Sequence, residues 1–248
     1  QDRLTAFLPR YAPMAARMPF LANLRNTVPG LAKLTERLTG FSATRKLPTW
    51  AARPFKDSEA SEGESPQAVV FADCFNRYFE PENLRATLKV MEAADVPVHL
   101  AKAPKGERPL CCGRTFLSAG LIDEAKVEAQ RLVDALMPYV EQGLPIIGLE
   151  PSCLLTLRDE IPALLPGEDT SKLAAKARML EEYIADQEAN PDFHLPLTSP
   201  APKVLLHGHC HQKAMGVMSS IEKTLALLPN TQVETVETSC CGMAGAFG

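Results

Sequence analysis

The chain has 248 residues, 46% hydrophobic and 23% charged, with a formal net charge of -4, which is ordinary for a globular protein of one large or two modest domains. No basic stripe offers itself to phosphate backbones, so the balance argues against a nucleic-acid partner. No apolar run nears the roughly 18 residues that cross a bilayer, so no transmembrane segment is expected.

Residues 1 to about 50 carry apolar side chains at helical spacing, interrupted at Pro29-Gly30. They predict a pair of short amphipathic helices packed on a neighbouring domain. The polar, acidic stretch 56–66 reads as a solvated linker. Strands and helices then alternate. The run 68–72 predicts a buried parallel strand, 81–94 a helix opened by Pro81, and 96–100 a second strand. A long helical pattern covers 121–143, followed by a third strand at 145–149, a helix at 154–165 and another at 171–189. The cycle restarts with a strand at 203–207, a helix at 217–228 and a strand at 231–236. This alternation implies crossover units on a parallel sheet, an α/β fold.

The chain divides into a helical segment and linker (1–66), a first repeat (67–199) and a second, truncated repeat (200–248). Each repeat runs strand, cysteine, helix, strand, Cys-Cys-Gly, which suggests internal duplication.

Seven cysteines are present: Cys74, Cys111, Cys112, Cys153, Cys210, Cys240 and Cys241. The odd count argues against a closed disulfide framework and points to metal or redox chemistry in a reducing compartment. Cys74, Cys153 and Cys210 each follow a predicted strand and precede a helix. Open parallel sheets bind ligands outside the carboxyl ends of their strands, and helix N-termini favour thiolate over thiol. Adjacent cysteines point to opposite faces of a strand, so each pair serves one centre only if the backbone turns. Gly113 and Gly242 permit that turn.

Other readings stay open at this point. In "HGHCH", an extended segment would set His207, His209 and His211 on the face opposite Cys210, as zinc ligands or as a polar strand end. A disulfide within a vicinal pair would be strained and reducible. Seven buried cysteines acting as small hydrophobes is the plainest reading. Arg77 and Arg114 lie near the ligand candidates in sequence, either to offset thiolate charge and raise the potential or as solvated surface arginines.

The pattern Cys74…Cys111-Cys112-Gly113…Cys153, then Cys210…Cys240-Cys241-Gly242, resembles the cysteine-rich CCG domain. That domain occurs in heterodisulfide reductase B subunits and in the iron–sulfur subunits of glycolate oxidase and anaerobic glycerol-3-phosphate dehydrogenase. The segments "RYFEPENLRATL", "PLCCGRTFLSAGL", "GLEPSCLLTLRDE", "LLHGHCHQKA" and "SCCGMAGAFG" look closer still to the C-terminal module of bacterial FAD-linked oxidase fusion proteins of the D-lactate and D-2-hydroxyglutarate dehydrogenase type. The likeness runs from about residue 10 to residue 248.

The resemblance implies an iron–sulfur cluster, [4Fe–4S], with all seven cysteines as its metal ligands across two centres. It implies an electron-transfer module of a flavin-linked 2-hydroxyacid dehydrogenase, of the D-lactate, D-2-hydroxyglutarate or glycolate type. The partners it implies are an FAD-linked oxidase domain, a ferredoxin-like domain and a quinone or cytochrome acceptor, with FAD held in an N-terminal part of the longer protein. Catalytic residues are not expected in this segment.

Two departures matter. Thr156 stands where the family's Cys-x-x-Cys would place its second cysteine, so the first site offers four sulfurs, enough for a conventional cluster but not for the five-cysteine non-cubane one. The second site stops at three, and a further strand and cysteine are expected after Gly248. The chain opens on Gln1 with no signal-peptide pattern, so a cytoplasmic or membrane-peripheral segment of a longer polypeptide is expected. A thiol–disulfide enzyme of heterodisulfide-reductase type and a zinc-binding scaffold are the alternatives.

Overall fold

The computed structural model describes residues 1–61, 63, 65–187 and 189–238. Four short helices open the chain where two are predicted: α1 (Asp2–Ala6), α2 (Leu8–Ala15), α3 (Pro19–Thr27) and α4 (Leu31–Thr39). Helix α3 turns polar side chains inward. Asn23 exchanges hydrogen bonds with the backbone of Trp50, and Asn26 with that of Leu47, each through both amide atoms. Trp50 in turn packs on Tyr11, Tyr78 and Phe79. The acidic stretch is no free linker at its start. Asp57 pairs with Arg77 at 2.6 Å and Glu59 with Arg85 at 2.7 Å.

The body follows as β1 (Ala68–Val70), α5 (Cys74–Tyr78), α6 (Pro81–Ala93), β2 (Val98–Leu100), α7 (Arg114–Ser118), α8 (Ile122–Glu141) and β3 (Ile146–Gly148). Next come α9 (Pro151–Thr156), α10 (Glu160–Leu164), α11 (Glu168–Lys176), β4 (Ala177–Met179) and α12 (Leu180–Asp186). The last described elements are β5 (Lys203–Leu206), α13 (Cys210–Ala214), α14 (Met218–Ala226) and β6 (Gln232–Thr235).

The first four strands form one parallel sheet in the order β2-β1-β3-β4. Strands β5 and β6 form a separate parallel pair. In the larger sheet successive side chains serve opposite faces, as the strand period requires. Val69, Phe71 and Ile146 pack with Leu132 and Leu136 of α8, while Ala68, Val70 and Ile147 pack with Leu84 and Met91 of α6. Helices therefore cover both faces, which is why the strands read as unbroken apolar runs.

Two predicted helices are corrected. The segment predicted as one helix over 171–189 contains β4, because Ala177 and Met179 bury in the core while their backbone completes the free side of β3. Tertiary pairing there overrides helix propensity. The helix predicted over 154–165 is two, and its first half, α9, starts before Cys153. Helices α5, α7 and α13, each five residues long, were absent from the sequence reading.

Candidate functional site

The chain lays β2 on one side of β1 and β3 on the other. The crevice outside the carboxyl ends of β1 and β3 is thus a topological switch point, the usual ligand position in an open parallel sheet. Cys74 leaves β1 as the first residue of α5, and Cys153 leaves β3 in the first turn of α9. Cys111 and Cys112 lie in the loop after β2. All four are buried free thiols. Their thiols are neighbours in turn, Cys74 beside Cys111, Cys111 beside Cys112 and Cys112 beside Cys153. The sulfurs form a chain rather than a knot: among the described residues, no three His, Cys, Asp or Glu side chains are gathered as ligands of a single metal ion.

The turn that lets both adjacent cysteines join this chain is made at Gly113, with φ 81. A Cβ there would meet the carbonyl oxygen of Ala125 at 2.9 Å, so the loop presses directly on α8. The Gly113 N–H donates to Cys111 Sγ at 3.4 Å. The thiols of Cys112 and Cys74, then this N–H and the charge of Arg108, hold the Cys111 thiol well below its usual range against the opposing effect of burial. Cys74 and Cys112 are raised, first by the neighbouring thiols and then by burial. For Cys153 the Cys112 thiol pulls down, but burial and the carboxylates of Asp73 and Glu150 push it up to about 12.

Carboxylates fix the two strand ends. Asp73 caps α5 by accepting from the N–H of Phe75 and of Asn76, and from the Asn76 amide at 2.7 Å. Burial pushes its pKa to about 6 against those bonds. Glu150 caps α9 by accepting from Ser152 N at 3.1 Å. Thr156 is no substitute ligand, since its hydroxyl donates to Ser152 O at 2.7 Å within α9.

Residues 68–158 match the family model of the CCG cysteine-rich domain. The whole chain is similar to a component of the anaerobic glycerol-3-phosphate dehydrogenase of Escherichia coli K12, its C subunit, 26% identical over 96% of this chain and 58% of that protein. It is similar to D-2-hydroxyglutarate dehydrogenase of the same organism, 23% identical over 100% of this chain and 25% of that protein. Lactate utilization protein A of Bacillus subtilis 168 is 24% identical over 72% of this chain and 73% of its own length. The chain thus spans 58% and 25% of the first two relatives' lengths. No solved structure matches the chain.

Several residues around these thiols escaped the sequence reading. Leu8, Ala12 and Ala16, in and just after α2, pack in one cluster with Cys74, Tyr78 and Cys111, so the N-terminal segment roofs half of the site. Glu128 of α8 is fully buried against Arg10, Arg108 and Arg131. It interrupts the apolar stripe Ala125, Ala129, Leu132, and a charge on such a stripe is the signal that would have found it. An Asp directly before a strand-end cysteine is likewise an N-cap signal.

Arg77 turns to Asp57 and the carbonyl of Phe55 instead of the sulfurs. Arg114 pairs with Glu160 and contacts His211 Nε2 at 2.9 Å.

The three histidines do not share a face, because the helix starts at Cys210. His209 caps α13 through Nδ1, His211 stacks on it and lies 3.4 Å from Ser152 Oγ, and His207 bonds Thr238. Cys210 is half-buried at the start of α13, which packs on α9. Cys240 and Cys241 lie outside the described residues. No helix among the described residues is long and apolar enough to cross a membrane.

Proposed function

We propose that Cys74, Cys111, Cys112 and Cys153 hold an iron–sulfur cluster, of the [4Fe–4S] type, and that the chain is an electron-transfer module of a flavin-linked 2-hydroxyacid dehydrogenase. The observation that carries this is the unbroken chain of four buried thiols at the switch point. Four soft sulfur donors are the set that iron–sulfur clusters take, and a chain of them matches a polynuclear centre better than one zinc ion. Further support comes from two donors: Gly113 N–H already points at Cys111 Sγ, and one buried N–H of Arg108, in the loop before Cys111, has no hydrogen-bond partner among the described residues. Bound there, such a cluster supplies a one-electron store.

The chain's own residues then have defined tasks. Asp73 and Glu150 fix the first turns that carry Cys74 and Cys153, Gly113 bends the Cys-Cys pair inward, and Leu8, Ala12, Tyr78 and Phe71 keep water out. Cys210, Cys240 and Cys241 are proposed ligands of a second centre. The substrate would be a D-2-hydroxyglutarate, D-lactate or glycolate-type acid; among the relatives, one is named for D-2-hydroxyglutarate and one for lactate utilization. FAD would be held on a partner domain or subunit, a ferredoxin-like domain would adjoin it, and a quinone or cytochrome would accept the electrons. The free thiols suit a cytoplasmic setting.

Anaerobic reconstitution with iron and sulfide tests this. We expect iron and sulfide bound in equal amounts, charge-transfer absorption bleached by dithionite, and loss of the first centre in Cys153→Ser. Zinc bound without iron would instead favour the scaffold. A two-electron thiol couple lost in Cys112→Ser, with no iron, would favour the disulfide enzyme.

A further inference from the structure

A heavily charged buried point lies directly beneath the Cys-Cys-Gly loop. Glu128 has no exposed side-chain surface, yet three guanidinium groups converge on it from three different places. Arg10 comes from α2 at 3.6 Å, Arg131 from the next turn of α8 at 3.1 Å, and Arg108 from the loop that leads into Cys111. Arg131 also donates to the carbonyl of Arg108 at 2.9 Å and pairs with Glu107 at 3.1 Å, so the loop backbone is clamped as well. A Cβ on Gly113 would stand 3.3 Å from Glu128 Cβ, which places the clamp against the turn itself.

A single buried carboxylate needs one strong partner to offset its desolvation. Three leave positive charge over. Of the three cations, Arg108 stands on the loop three residues before Cys111, its charge lowers the Cys111 thiol pKa, and one of its buried N–H groups has no hydrogen-bond partner among the described residues. A buried guanidinium donor left without an acceptor costs free energy unless something outside the polypeptide accepts from it. Sulfurs of a cluster are such acceptors, and hydrogen bonds and charge at the sulfurs set cluster potentials.

We propose that Arg108 raises the reduction potential of the first centre through its charge and its spare N–H in the loop that carries Cys111, and that Glu128 is the positioning residue that holds it there. The inference rests on the cluster reading above. Reduction adds negative charge to a centre already ringed by thiolates, so a nearby cation stabilises the reduced form and raises the potential.

The test is an equilibrium redox titration of the full chain, reconstituted anaerobically with iron and sulfide, alongside Arg108→Gln, Arg108→Lys and Glu128→Gln. Iron content and circular dichroism establish that each variant is loaded and folded. Arg108→Gln is expected to weaken reduction about tenfold, about 59 mV for a one-electron couple, and Arg108→Lys to restore most of it.

Glu128→Gln separates the two roles by sign. If Glu128 acted through its own charge, removing it would raise the potential; if it holds Arg108, the potential falls. A fully loaded Arg108→Gln with an unchanged potential overturns the proposal for Arg108, and an unchanged or raised potential in Glu128→Gln overturns the positioning role. Failure of the parent chain to take up iron would instead sink the cluster reading itself.

Discussion

The β1–β2 and β5–β6 units are built on one local plan and sit in different surroundings. In each, a strand ends, a polar residue caps a five-residue helix, and a cysteine is that helix's first residue: Asp73 with Cys74, His209 with Cys210. Two residues on, an amide braces the cap from within, Asn76 in one and Gln212 in the other. One further on, a cation reaches out, Arg77 to Asp57 and Lys213 to Thr238.

Yet every residue of β1 is buried, whereas β5 alternates between half-buried and exposed, with Leu205 63% exposed. The strand, cap and cysteine geometry is therefore a property of the local sequence. Burial is supplied from elsewhere: by α8 and β3 for the first unit, and for the second, among the described residues, by α12 against α14 and by His211 against α9.

If that division is right, equivalent substitutions should have unequal costs. The largest gap is expected between the strands. Ile147→Ala in β3, fully buried between β1 and β4, should cost about 2–5 kcal/mol. Leu205→Ala in β5 should stay within about 0.5 kcal/mol. Denaturant midpoints measure both, and a matching loss at Leu205 would mean that the second unit is as well covered as the first.

The next gap concerns glycines. Gly113→Ala forces an L-residue to φ 81, and its Cβ would meet a backbone carbonyl that cannot step aside. The left-handed φ alone costs about 1–3 kcal/mol. Gly208 occupies the place that Ala72 holds in the first unit, and a Cβ there would meet the thioether of Met218, the end of a flexible side chain. Gly208→Ala should therefore cost less, with the rotamer shift of Met218 its main expense. Iron uptake sharpens the contrast. Gly113→Ala should also impair loading, because the turn carries Cys111 and Cys112 to the other thiols, whereas Gly208→Ala should leave the first centre intact.

The sequence made the α/β alternation and the strand-end positions of Cys74 and Cys153 legible, because apolar runs bounded by turn residues are local signals. What it hid was long-range. Ala177–Met179 lies in a stretch with helical composition and becomes β4 only because β3 has an open side. Residues 1–50 look like generic amphipathic helices, and nothing local reveals that Leu8 and Ala12 pack against Cys74 and Cys111, over sixty residues away. Arg77 and Arg114 are close to the cysteines in sequence, but their nearest acids are Asp57 and Glu160. Arg108, no closer in sequence than they are, pairs instead with Glu128 beneath the Cys-Cys-Gly loop. Proximity along the chain located the ligand candidates and said nothing of which acid each arginine meets.

The smallest gap lies in the caps, and it tests the comparison most finely because the two caps differ in chemistry as well as burial. Asp73 is 1% exposed and accepts three hydrogen bonds, from two backbone N–H groups and the Asn76 amide, whose own oxygen accepts from Asn83 of α6 at 2.9 Å. Asp73→Ala strands all three donors where water does not reach, so its cost should lie at the upper end of cap losses, about 2 kcal/mol. Asp73→Asn keeps a cap oxygen and should recover much of that. His209 accepts one bond, from His211 N at 3.2 Å, in a half-buried setting where water takes over the released donor. His209→Ala should cost about 0.5 kcal/mol, the low end for a cap. Equal losses for Asp73→Ala and His209→Ala would show that the caps, and not their surroundings, set the stability of both units.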